Sequence, residues 1–388
     1  MRYKSQTELI HSDIERSQYG ETSEALYLTS GFVYRSAEQA EARFKDEEEG
    51  YIYARYNNPS VAMFERRLAA LEGAEACFAT SSGMAAVFAA LACQLCAGDH
   101  VIASRVLFGS CAKIFTEILP RWGIAATLVD GRESANFKAV IKPNSKLIFW
   151  ESPANPTLEL VDTRALVALA KEHGLRTVMD NAFASPMGQK PICQGVDIVT
   201  YSATKHIDGG GRCLGGAVLA NRDFINSELL NFVRHAGPAM SPFNAWVLLK
   251  ALESLPLRAE RMAYNAEQVA CFLEKQEGVS EVYYPGLPNF AQHALAKAQM
   301  SSFGSMLAFK VRGGKKQAFA LMNKLKLIKI SNNLGDAKSL ITHPFTTTHR
   351  AMDVQLRAVS GIDESLLRLS VGLEDAQDLI ADINQALG

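Results

Sequence analysis

Leu175-Arg176-Thr177-Val178-Met179-Asp180, followed by Asp197-Ile198-Val199-Thr200-Tyr201-Ser202-Ala203-Thr204-Lys205-His206, decides the fold. Both segments open as short strand-like runs. One closes on an aspartate, the other on hydroxyls and a lysine. Working outward, residues 76–79, 100–104, 124–129 and 146–150 read as strands. Residues 111–122, 163–173 and the stretch from Met84 read as helices. An earlier helix has Ser60 as a candidate N-cap, with Phe64, Leu68 and Leu71 at helical spacing until Gly73. Strands alternating with helices predict an α/β protein with a mostly parallel sheet covered on both faces. Ligands of such sheets bind at the carboxyl ends of the strands, where Asp180 and Lys205 both fall.

After a strand candidate at 213–220 the texture changes. Residues 224–261 read as helical, with breaks at Gly237-Pro238 and near Pro242. Residues 305–311 and 366–371 read as strands and 376–387 as a closing helix. The expected organisation is an extension at 1–58, a large domain at 59–240 and a smaller C-terminal α+β domain at 241–388. The acidic run Asp46-Glu47-Glu48-Glu49 reads as a solvated loop.

The 388 residues hold 40 basic and 41 acidic side chains, so no electrostatic footprint marks nucleic acid or an anionic membrane as a partner. No apolar run is long enough to span a bilayer, and residues 1–16 do not resemble a signal peptide. Seven scattered cysteines fit a reduced, cytoplasmic protein. Cys93-Gln94-Leu95-Cys96 reads as helix core, with no further ligand at zinc spacing, so no metal is expected.

A lysine at a strand end, flanked by hydroxyls and preceded by a strand-end aspartate, suits pyridoxal phosphate (PLP) chemistry. Lys205 would bond the aldehyde, Asp180 would hold the ring nitrogen protonated, and Ser202 and Thr204 would bind phosphate. Alone, Lys205 reads more readily as an ordinary surface lysine, and a structural salt bridge is the competing account of Asp180. Ser82-Gly83-Met84 lies between a strand and a helix, where main-chain N–H groups bind anions and Gly83 permits close approach. Asn155, in Glu151-Ser152-Pro153-Ala154-Asn155-Pro156, could point its amide into the crevice. Arg368, inside an apolar strand, calls for a carboxylate, from an amino-acid substrate or from an internal Asp or Glu. Tyr53 and Arg55 could both reach an anion. Gly209-Gly210-Gly211 would let backbone approach a ligand closely. His206 reads as a packing or loop histidine.

Taken in order, Tyr53-x-Arg55, Ser82-Gly83-Met84, the Glu151–Pro156 segment, Asp180-Asn181, Ser202-x-Thr204-Lys205 and Arg368-Leu369-Ser370-Val371-Gly372 resemble the Cys/Met-metabolism family of fold-type I PLP enzymes. The resemblance covers essentially the whole chain. It implies a fold-type I transferase with Lys205 as the catalytic lysine. Asp180 would pair with the ring nitrogen, and Gly83, Met84, Ser202 and Thr204, with Ser82 beside them, would hold the phosphate. Arg368, Asn155 and Ser331 would serve the substrate. Tyr53 and Arg55 would reach a neighbouring subunit's phosphate, implying a catalytic dimer and a homotetramer.

Phe108, in Leu107-Phe108-Gly109-Ser110, stands where many members have a tyrosine. It can stack on the ring but has no hydroxyl for acid–base work. Together with Gly335-Asp336-Ala337-Lys338-Ser339-Leu340 and Ser23–Gly31, it resembles the sulfhydrylase subgroup. The implied reaction replaces the acyloxy group of O-succinylhomoserine with sulfide, giving homocysteine and succinate in methionine biosynthesis. Cystathionine γ-synthase or a methionine or cystathionine γ-lyase, and a catalytically silent PLP-fold binding protein, are the alternatives.

Overall fold

The computed structural model describes residues 3–12 and 14–388; Met1, Arg2 and Asp13, part of the polar N-terminal stretch, lie outside them. Seven strands build the first sheet: β1 (Ala76–Thr80), β2 (His100–Ser104), β3 (Ala125–Val129), β4 (Ser145–Glu151), β5 (Arg176–Asp180), β6 (Ile198–Ser202) and β7 (Gly216–Ala220). Their order is β1-β7-β6-β5-β4-β2-β3. Only β7 pairs antiparallel, with β1 and β6. Alternate residues feed cores on opposite faces. Ile148 and Trp150 enter one, Leu147 and Phe149 the other, and all four are fully buried. Burial on both sides is why these strands read as continuous apolar runs.

Two helices bear on the site, after α1 (Ser5–His11) and α2 (Ala37–Phe44) in the N-terminal stretch. They are α3 (Pro59–Glu72), before β1, and α4 (Gly83–Ala92), after it. The expected N-cap of α3 moves from Ser60 to Asn58. Asn58 has extended backbone geometry and accepts the Ser60 N–H at 2.9 Å, while Pro59 takes the first helical position, where no N–H is needed. Ser60 instead accepts the Tyr27 N–H at 2.9 Å. Gly73 closes the helix in the left-handed conformation, φ 86°.

A second sheet orders its strands β10-β11-β12-β9-β8. They are β8 (Val279–Tyr283), β9 (Met306–Val311), β10 (Lys329–Ile330), β11 (Leu340–Thr342) and β12 (Leu366–Ser370). All pairs are antiparallel except β10 with β11. Leu307, Phe309, Leu367 and Leu369 face a core shared with Val269 and Leu273 of the helix Leu255–Leu273 and with Ile383 of the helix Ala376–Leu387. β8, β10 and β11 carry no long apolar run and were not expected. The helical region begun at 224 also runs on to Leu273, beyond the expected 261. Nor do Cys93 and Cys96 share a helix: α4 ends at Ala92, and Cys96 is exposed in the following turn.

Asn58 is fully buried, and its Nδ2 also donates to the Tyr27 carbonyl at 2.9 Å. Asn58→Ala should lower the thermal transition by a few degrees, reflecting about 1–2 kcal/mol. Asn58→Ser, which restores a capping oxygen, should recover part of that loss. Equal melting of all three chains would contradict the cap.

Candidate active site

The parallel strands β4, β5 and β6 end side by side, with Glu151 opposite Asp180 and Asp180 opposite Thr200. β6 runs on through Ser202 into Thr204 and Lys205. A cavity of about 410 Å³ opens at these ends. It brings together Ser82, Gly83, Met84, Phe108, Asn155, Asp180, Ser202, Thr204 and Lys205, with Arg368 arriving from β12 of the second sheet. A larger cavity, about 580 Å³, lies around Arg132, Glu159, Glu281 and Gln292, but no lysine lines it. The chemistry is concentrated in the smaller one.

One wall of the smaller cavity is a backbone cradle. A Cβ on Gly83 would sit 2.5 Å from the Ser202 Cβ, and one on Gly216 would sit 2.1 Å from the Ser82 carbonyl oxygen. Only glycine fits at either place. Ser82 caps α4, its Oγ accepting the Ala85 N–H at 3.2 Å and its carbonyl the Ala86 N–H at 3.1 Å. The Gly83 and Met84 N–H groups find no acceptor among the described residues. At the positive end of a helix, such donors suit a phosphate. Thr204 lines the same wall, although its hydroxyl already donates to the Gly215 carbonyl at 3.2 Å and accepts the Gly215 N–H at 3.0 Å.

Lys205 Nζ donates to Asn333 Oδ1 at 2.7 Å. Burial, and then repulsion from Arg368, lower the lysine to about 8. Burial raises Asp180 to about 6 against the pull of the Ala182 N–H, which it accepts at 2.9 Å. No cation pairs with it among the described residues, so the salt-bridge alternative has no partner. Glu151 is a second buried carboxylate. Burial, and then the Asp180 charge, hold it well above the usual range.

Arg368 is 2% exposed. One guanidinium nitrogen donates to Asn155 Oδ1 at 3.0 Å and another to the Asn332 carbonyl at 2.9 Å, while Nε has no partner. No carboxylate among the described residues pairs with it, so of the two alternatives the internal Asp or Glu is not found. A buried cation left this way suits an incoming carboxylate. The Phe183 ring lies beneath it at 5.9 Å.

Several expected site residues lie elsewhere. Tyr53 is 43% exposed and Arg55 donates to the Arg234 carbonyl and stacks on Tyr56, both outside this chain's cavity. Ser331 does not line the cavity; it accepts the Asn333 N–H at 3.3 Å, and Asn332 and Asn333 line it instead. The glycine triplet serves packing rather than ligand approach. Gly209 leaves room for the Arg258 guanidinium, which donates to the His206 and Ile207 carbonyls at 2.8 and 3.0 Å. His206 bonds Ala182 and Ser305 and is a packing histidine, as expected; burial lowers it to about 4.

Glu151, Asn333 and Thr348 line the cavity without having been singled out. Glu151 accepts the Phe108 N–H at 2.7 Å and the Asn155 N–H at 3.1 Å, so it joins the ring-stacking candidate to the amide candidate. Its signal was available: like Asp180, it is an acid closing an apolar strand.

The family model for Cys/Met metabolism PLP-dependent enzymes matches residues 6–388. An O-succinylhomoserine sulfhydrylase from Mycobacterium tuberculosis is 50% identical over 376 residues, covering 96% of this chain and 93% of that one. An L-methionine gamma-lyase from Porphyromonas gingivalis is 42% identical over 389 residues, covering 100% and 98%. A Campylobacter jejuni structure described as an O-acetylhomoserine (thiol)-lyase carries N'-pyridoxyl-lysine-5'-monophosphate. It superposes with a TM-score of 0.95 at 31% identity, covering 99% of this chain and 100% of that one. The glycine cradle, the partly buried lysine with its lowered proton affinity and the unpaired strand-end aspartate all fit that group. The chain belongs to the Cys/Met metabolism family of PLP-dependent enzymes, with a fold-type I architecture.

Proposed function

We propose that this enzyme replaces the succinyloxy group of O-succinylhomoserine with sulfide, giving homocysteine and succinate. The observation that carries the reading is one cavity holding a desolvated lysine, an unpaired strand-end carboxylate and an arginine lacking a carboxylate partner. Pyridoxal phosphate, when bound, supplies an aldehyde and an aromatic ring that draws electrons from the substrate Cα. Gly83 and Met84 would donate main-chain N–H groups to its phosphate, with Ser82, Ser202 and Thr204 beside them. Asp180 would hold the ring nitrogen, and Phe108 would lie against the ring. Arg368 and Asn155 hold the substrate carboxylate, with Asn332 and Asn333 in the place expected of Ser331. Lys205 takes the proton from Cα and serves the later proton movements. The Cγ–O bond breaks and a Cγ–S bond forms, so one hydrosulfide enters and one succinate leaves.

The choice of sulfide replacement over elimination rests on Phe108, which lines the cavity without a hydroxyl. The 42% identical γ-lyase keeps elimination as the second reading. The exposed Tyr53, with Arg55 beside it outside this chain's own cavity, supports a dimer in which both complete a second copy's phosphate site, within a homotetramer. The 1–58 extension would make that contact, ahead of the 59–240 and 241–388 domains. A cytoplasmic location is part of the proposal. No helix among the described residues is long and apolar enough to cross a membrane.

Supplying O-succinyl- or O-acetylhomoserine with sulfide, with cysteine or with no added nucleophile should yield homocysteine fastest from the succinyl ester and sulfide. Faster release of ammonia and 2-oxobutyrate without a nucleophile would favour the lyase. Lys205→Ala should abolish turnover and borohydride trapping of the cofactor on the chain; retention of both would remove Lys205 from its role. Only the neutral amine attacks the aldehyde, and Lys205 is lowered to about 8. Reconstitution of the apoenzyme should therefore accelerate with pH through about 8. A rate still climbing toward the ordinary lysine value would contradict the desolvated site.

A further inference from the structure

Beneath the cavity floor runs a buried polar chain that the reaction does not itself use. It starts at Glu72, in the last turn of α3. Glu72 Oε1 accepts the Ile192 N–H at 3.3 Å and Oε2 accepts the Tyr201 hydroxyl at 2.6 Å. Tyr201 in turn accepts Asn181 Nδ2 at 2.6 Å. Asn181 Oδ1 accepts Gln189 Nε2 at 2.9 Å, and the same Nε2 donates to the Ser152 carbonyl. Glu72, Tyr201, Asn181 and Gln189 are each at most 2% exposed. Asn181 follows Asp180 directly, Tyr201 precedes Ser202, and Ser152 lies between Glu151 and Asn155.

The direction of this chain is fixed. The single Tyr201 proton goes to Glu72, because Asn181 Nδ2 is already a donor toward the tyrosine oxygen. Both Glu72 oxygens then accept, each using one of its two lone pairs. A buried carboxylate therefore ends a line of hydrogen bonds that leads to the residue beside Asp180. Around Glu72 stand Tyr201 from β6 and the more distant Lys190; around Tyr201 stand Glu72 and, at longer range, Asp180. Burial raises Glu72 to about 7, the Tyr201 hydroxyl opposing it. Such networks hold their members rigidly when every group is satisfied.

We propose that Glu72, Tyr201, Asn181 and Gln189 form a positioning relay that holds the Asp180 carboxylate and the Ser152–Asn155 loop in register, with the Glu72 charge favouring a protonated cofactor ring. This rests on the assignment of Asp180 to the ring nitrogen. Glu65 provides a control. It lies on the same helix, is partly buried and accepts the Ala79 N–H at 2.6 Å, but among the described residues it belongs to no chain leading to the cavity.

The test compares Tyr201→Phe, Glu72→Gln, Glu65→Gln and Asp180→Asn, each reconstituted with pyridoxal phosphate. For each, the absorbance of the bound cofactor is titrated against pH, and kcat, KM and Tm are measured. Tyr201→Phe and Glu72→Gln should lower kcat about tenfold with little change in KM. They should also move the absorbance titration in the direction that Asp180→Asn moves it. Glu65→Gln should lower Tm alone. The relay is overturned if the first two variants lose only stability, as Glu65→Gln does, while Asp180→Asn moves the titration. If Asp180→Asn leaves the titration unmoved, the ring-nitrogen assignment fails and the relay fails with it.

Discussion

Four ionisable groups, Lys205, Arg368, Asp180 and Glu151, surround one desolvated cavity without forming a direct ion pair among the described residues. Buried charge without a partner is costly. Here the cost is met partly by neutral neighbours, Asn333 for the lysine and Asn155 with the Asn332 carbonyl for the arginine. The remainder shows as displaced protonation: both carboxyls are raised, and both cations are lowered, to about 8 for Lys205 and about 10 for Arg368. A ligand offering an aldehyde, a ring nitrogen and a carboxylate would relieve that cost at Lys205, Asp180 and Arg368, so affinity for cofactor and substrate would arise from incomplete internal pairing.

The parallel sheet sets this up. Its strands end together, so Glu151, Asp180 and Ser202 need only fall at strand ends to become neighbours. That is why most of the site was legible in the sequence: apolar runs of buried strand length ended on acids, hydroxyls and a lysine. The family resemblance then gave roles to residues whose local pattern left them ambiguous.

What the sequence hid has physical causes. β10 and β11 are only two and three residues long, too short for periodicity to register, yet they flank the loop that carries Asn332 and Asn333. Ser331 falls outside the cavity that Asn332 and Asn333 line, and this was not legible because side-chain direction in an irregular loop has no period to read. The Gly209–Gly211 triplet looked like a ligand loop, but the demand for space came from Arg258, distant in sequence. Asn58 displaced Ser60 as the cap because Pro59 fits the first helical position, which shifts the cap two residues earlier than the hydroxyl implied.

The glycine cradle also limits how this protein can be remodelled. Gly83 is pressed against Ser202, and Gly216 against the Ser82 carbonyl. Gly216 also pairs in register with both Thr80 of β1 and Ser202 of β6. The wall that would face the phosphate is therefore also the seam joining the antiparallel strand to the rest of the sheet. Neither half can grow by a methyl group without moving the other. An engineer enlarging the cavity for a bulkier substrate must begin on the opposite side, among Asn332, Asn333 and Thr348, where loops rather than packed strands set the boundary.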